Sequence, residues 1–169
     1  MTNHANQSTK KINQDVNKMS SKEGAEHARF IKKRKHARDK GLQALYQWQL
    51  SGEELEWIKD HYVEEQGVAT GDKDYFIELL FEIPACISTL EAHYRQHIEN
   101  FEDHVDPIET NILRIATYEF IHHPEIPFKV VINEAVNLAK VYGADDSHKF
   151  INGVLDPLAK ILRPLETKG

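Results

Sequence analysis

The stretch GADDSHKFINGVLD, residues 143–156, sets two acids, a hydroxyl, an imidazole and an amine side by side from Asp145 to Lys149, then runs into apolar residues at helical spacing. Residues of these types can ligate a metal, hydrolyse a substrate, or start a helix that also presents a binding face. A metal needs several side chains converging on one ion. Asp146 and His148 stand two apart and diverge on a helix, as do the adjacent His122 and His123. The ten histidines and one cysteine form neither HExxH nor CxxC, so neither a metal nor a cofactor is expected. Ser147 sits between Asp146 and His148, but three consecutive residues cannot form a proton relay, which takes side chains from separate elements. GxSxG, Walker and GxGxxG signatures are all missing. Glu54 with Glu56, and Glu64 with Glu65, are ordinary surface acids, and Cys86 lies in an apolar stretch where thiols are commonly inert. No catalytic residue is expected, and the chain is read as a non-enzyme.

The binding-face reading has more to work with. Acids are favoured at a helix start, and at least one of Asp145, Asp146 and Ser147 is expected to cap. Capping leaves Lys149 and Phe150 unexplained. The four-residue step puts Phe150 on the side of Asp146, where the ring either joins the core or stacks on an unpaired base. Periodicity does not choose between the two. A second feature is a basic island: Arg29, Lys32, Lys33, Arg34, Lys35, Arg38 and Lys40 stand against a single acid, Asp39, while the whole chain carries −6. Such a cluster is either a solvated helix face or a phosphate contact that releases counterions from nucleic acid.

The elements that must carry these residues are helical. The 169 residues suit one domain with a tail. A single cysteine fits a reducing compartment, no apolar run reaches the roughly 18 residues of a membrane span, and the first residues lack the apolar centre of a signal peptide. A cytoplasmic protein is expected. Residues 1–28 are polar and aperiodic and predict a disordered extension; residues 29–169 predict the helical domain. A first helix runs from about Phe30 to Leu50, with the basic island in its first turns. Ser51-Gly52 breaks it, and Leu55, Ile58 and Tyr62 mark a second. Gly67 to Gly71 is a loop, and Asp72 caps a third helix whose stripe Pro84 kinks or splits. DPIE at 106–109 is a start signal, with Asp106 as cap, Pro107 in the first turn and Glu109 as the capping-box acid. HHP at 122–124 ends that helix. Another spans roughly Lys129 to Tyr142, closed by Gly143, and a last one begins at Asp146 or Ser147, with Pro157 bending it or ending it near Leu155. About seven helices with short loops make an all-α bundle.

Three segments together resemble a known family. HARDKGLQALYQWQLS, VDPIETNILRIATYEF and above all IPFKVVINEAVNLAKVYGADDSHKFINGVLD resemble bacterial NusB transcription antitermination factors over about residues 31–165. The resemblance implies two small helical subdomains and no enzymatic activity. It also implies pairing with NusE, a small-subunit ribosomal protein, binding of boxA RNA from ribosomal RNA leaders, and membership of the RNA polymerase antitermination complex, with a homodimer as an alternative state. The family's basic N-terminal RNA contacts fall on Arg34, Lys35 and Arg38, although lysines and His36 replace some arginines, which weakens forked contacts more than phosphate attraction. Tyr46, Asp146, Lys149 and Phe150 complete the implied RNA contacts, and Glu109 and Arg114 fall at the implied ribosomal-protein interface. Other readings are an RNA-binding domain of the same fold without antitermination activity, and a dimerising helical adaptor.

Overall fold

A computed structural model describes residues 4–68, 72–104 and 106–168. Eight α-helices and no strand occur among them: α1 (His4–Ser51), α2 (Leu55–Glu65), α3 (Lys73–Ala85), α4 (Ile87–Tyr94), α5 (Pro107–His122), α6 (Phe128–Tyr142), α7 (Ser147–Leu162) and α8 (Pro164–Thr167). Two 3₁₀ turns, Arg95–His97 and Phe101–Asp103, link α4 to α5. α1 packs on α2 and α3 to form one small subdomain, and α5, α6 and α7 pack on one another to form the second, with α4 against α5. α5 also packs on α1 and so joins the halves. Its residues Asn111 to Phe120 are buried on every side, as a central helix must be.

Local chemistry explains most boundaries. α1 stops where Gly52 takes a left-handed φ of +68°, a conformation that glycine adopts without steric cost. Asp72 accepts a hydrogen bond from the Tyr75 amide, and Asp106 from the amides of Ile108 and Glu109, so each caps the helix it precedes. Pro84 splits its stripe: α3 ends at Ala85, half-buried Cys86 serves as the joint, and α4 starts at Ile87. At the far end of α5 the last carbonyls are satisfied by one buried side chain. Arg163 donates from Nε to the Phe120 carbonyl at 2.9 Å, and from its terminal nitrogens to the carbonyls of Ile126 and His123 at 3.0 and 2.9 Å.

Two expectations need correction. α1 begins at His4, so the basic island lies in mid-helix rather than in the first turns, and no helix dipole opposes it. α1 also takes in residues 4–28 of the segment expected to be a disordered extension, whose described side chains from Lys10 onward are all exposed. Gly143 is extended (φ −86°, ψ 178°) and makes no left-handed cap. What requires glycine there is space, since a Cβ would lie 2.6 Å from Ser147 Cβ and 2.7 Å from the Ala139 carbonyl. Of the two courses open at Pro157, α7 takes the continuous one to Leu162, because Leu155, Leu158 and Ala159 are anchored in the core on both sides of the lost backbone donor. The Gly67–Gly71 loop lies partly outside the described residues.

Candidate nucleic-acid interface

One face of α1 and the adjoining edge of α6 form a seam. Lys32, Lys35, His36 and Asp39 of α1 face Glu134, Asn137 and Val141 of α6 across a shallow cleft of about 270 Å³. The α1 residues follow three- and four-residue steps and therefore share a side. The same side continues to Gln43, Tyr46 and Leu50, which with Ile108 and Tyr142 line a second cleft. The Gln43 amide stitches the seam by donating to the Tyr142 hydroxyl at 2.8 Å and, more weakly, to Asp39 at 3.4 Å. Burial and the nearby Asp39 push the Tyr142 phenol up to about 12, so it stays a neutral hydroxyl at physiological pH.

Beyond Tyr142 the seam reaches the start of α7, where the charge changes sign. Asp103, Asp106, Glu109, Asp145 and Asp146 surround a cleft of about 650 Å³ that also holds His104 and Phe150. Phe150 is half-buried and lies on the His104 ring, with centroids 4.8 Å apart and planes 22° from parallel. The ring is thus neither wholly core nor wholly exposed. Asp146 occupies the cap position of α7 but makes no cap hydrogen bond. It pairs instead with Lys149 at 3.6 Å, both side chains being largely in solvent. Ser147 closes the helix start: its hydroxyl accepts from the Ala144 amide at 2.9 Å and donates to Glu109 at 3.2 Å. Glu109 is therefore tied to α7 and does not complete a capping box. Burial, and then the neighbouring Asp106, raise the Glu109 carboxyl above its ordinary range.

The three cations singled out for RNA part company. Lys35 is exposed in the seam. Arg34 and Arg38 stand one turn apart on the side facing α3 and α5. Arg34 pairs with Asp72 at 3.0 Å and lies 3.7 Å over the Tyr75 ring. Arg38 is 4% exposed and forks onto Glu119, with Nε 3.0 and 2.9 Å from the two carboxylate oxygens, while Tyr75 also donates to Glu119. Burial lowers the Arg38 pKa, but Glu119 outweighs it and holds the guanidinium above its usual value. Arg38 is thus corrected to an internal ion pair: buried and engaged by Glu119, it offers little surface to a phosphate. Sequence reasoning missed Lys32 and His36 as partners of Lys35 in the seam, although their helical step to Asp39 and Tyr46 was a usable signal. Arg114 is also internal, at 8% exposed. Its Nε has no partner among the described residues, and it lines a half-open cleft of about 340 Å³ with Gln49, Tyr94 and His104. Glu109 and Arg114 consequently face different cavities.

Among the described residues no group of three or more His, Cys, Asp or Glu side chains is placed to hold a metal, and no helix is long and apolar enough to cross a membrane. The NusB family model matches residues 35–160. The chain belongs to the NusB family. It is 42% identical over 133 residues to the transcription antitermination protein NusB of Pseudoalteromonas atlantica, covering 79% of this chain and 95% of that protein. It is 45% identical over 129 residues to the protein of the same description from Haemophilus influenzae strain 86-028NP, covering 76% and 90%. Among solved structures, the antitermination factors NusB and NusE in complex with double-stranded RNA match with a TM-score of 0.69 and 29% identity, over 78% of this chain and 98% of that one. T. maritima NusB matches with a TM-score of 0.68 and 30% identity, over 80% and 97%. Residues 1–34 lie outside the family match.

Proposed function

We propose that this protein is a cytoplasmic, non-enzymatic transcription antitermination factor that binds boxA RNA and pairs with the ribosomal protein NusE. Family membership and the NusB–NusE–RNA complex of the same fold support the reading. The observation that carries it is the row of three neighbouring clefts from α1 to α7, which offers cations, aromatic rings and polar groups to one elongated ligand. Lys32, Lys35 and His36 attract phosphates at one end. Tyr46 offers a ring midway, and Phe150, backed by His104, offers a stacking surface at the other. Lys149 adds a cation that its pairing with Asp146 partly cancels. The acidic surround of Phe150 weakens RNA binding by the protein alone and leaves room for a basic partner there, so Glu109 is assigned to the NusE side together with the cavity over Arg114. The complex then joins RNA polymerase.

The test is titration of labelled boxA RNA and a scrambled control, with and without NusE. Sequence-dependent binding that tightens with NusE is expected. Failure of both RNAs to bind even with NusE present sinks the reading and leaves a self-associating adaptor in its place.

A further inference from the structure

The first half of α1 lies beyond the family match and its described side chains are all exposed, yet its charge is ordered. Residues 1–40 hold eleven Lys and Arg against four acids, whereas residues 41–169 hold ten against twenty-three. Six of those cations fall in two series of eleven-residue spacing: Lys11, Lys22 and Lys33, and Lys18, Arg29 and Lys40. Eleven residues make three helical turns with a drift of only about 20°. All six therefore lie in one band about 60° wide that runs ~43 Å along the helix. Asp15, Glu23 and Glu26 fall at or beyond one edge of the band. Lys11, Lys18, Lys22, Arg29 and Lys33 are exposed, and none pairs with an acid among the described residues. Cations that served only solubility would have no reason to keep phase over three repeats. The band also runs without a gap into His36 and Lys32, the residues that open the α1–α6 seam.

We propose that the N-terminal half of α1 is a second, sequence-independent RNA-binding element, which holds the phosphate backbone of RNA flanking the segment bound in the seam. A polyanion fits this band because a row of cations along a rod matches a row of phosphates, and because the band is continuous with the proposed RNA face. The inference rests on the RNA reading of that face. It extends the reading from a short recognised sequence to a longer footprint, with the arm adding affinity without choosing bases.

Two RNAs test it with the full chain: the boxA core alone, and the core extended on either side by about ten nucleotides, enough at 3.4 Å or more each to follow the ~27 Å from Lys11 to Arg29. The parent should bind the extended RNA more tightly than the core. The variant K11Q/K18Q/K22Q/R29Q should lose that gain while binding the core unchanged. With four fewer phosphates neutralised, the slope of log affinity against log salt should fall by about 3, so that between 50 and 200 mM salt the parent loses roughly 50-fold more affinity than the variant. The opposite change, D15Q/E23Q/E26Q, should tighten the extended RNA only. A quadruple variant that keeps both the gain and the slope overturns the arm and leaves the seam standing, as does a parent that gains nothing from the extension. A parent that binds neither RNA overturns arm and seam together. If the quadruple variant instead loses a dimer seen by sedimentation, the arm's occupant is the acidic face of a second copy, and the RNA assignment falls.

Discussion

Two ion pairs, one in the basic island of α1 and one at the start of α7, behave in opposite ways. Arg38–Glu119 is sealed between α1 and α5, held in a fork and supported by Tyr75. Asp146–Lys149 bridges one turn of α7 in open solvent at 3.6 Å. The first has no water to fall back on, so losing one partner strands the other charge. The second exchanges freely with water and salt. Charged residues in the two motifs thus divide into fold and function according to what lies opposite them, a property no local spacing reveals.

The sharpest way to break the contrast is Arg38→Gln, which should destabilise the protein by about 3–5 kcal/mol by leaving Glu119 buried and unpaired. Urea denaturation checks it, and a loss of RNA affinity in the folded fraction would return Arg38 to the binding face. Next in size is Phe150→Ala, expected to weaken boxA binding by about 1–3 kcal/mol through loss of stacking. If circular dichroism shows unfolding while affinity per folded molecule is unchanged, the ring is core and its exposed edge means little. Lys32→Gln with Lys35→Gln should lower the salt slope of RNA binding by about 1.4 and leave thermal stability alone. An unchanged slope would make the α1 side of the seam a solvated face. The smallest effect is assigned to Asp146→Asn, which removes a negative charge from the approach to Phe150 and releases Lys149. RNA should bind at least as tightly, with an unaltered melting temperature; clear weakening in titration would mean that the carboxylate contacts the RNA directly.

The helical architecture was legible because its signals are local. Caps at Asp72 and Asp106, the break at Gly52 and the split after Pro84 each act within a few residues of chain. The interface was legible only in part, because direction around a helix is set by what packs against it. Lys35 and Arg38 sit three apart in one basic island, yet one looks into the seam and the other at Glu119, eighty-one residues away. Pro157 left two courses open for the same reason: the cost of a missing donor is local, while the burial of Leu155 and Leu158 that offsets it is not. Gly143 was placed correctly and explained wrongly, since the crowding by Ser147 that demands it appears only once α6 and α7 are folded together.

The clamp of Arg163 on the end of α5 has a bearing on how the molecule is made. The Phe120 carbonyl and its partner are forty-three residues apart, with all of α6 and α7 between them. During synthesis α5 emerges long before the side chain that completes its last turn. Until then its buried face, Asn111 to Phe120, has no second subdomain to pack into. The first three helices can gather early, but the centre of the protein closes only when the ribosome has released α7. Folding of this chain should therefore finish late and cooperatively, with the nascent α5 a natural client for whatever shields apolar surface at the exit tunnel.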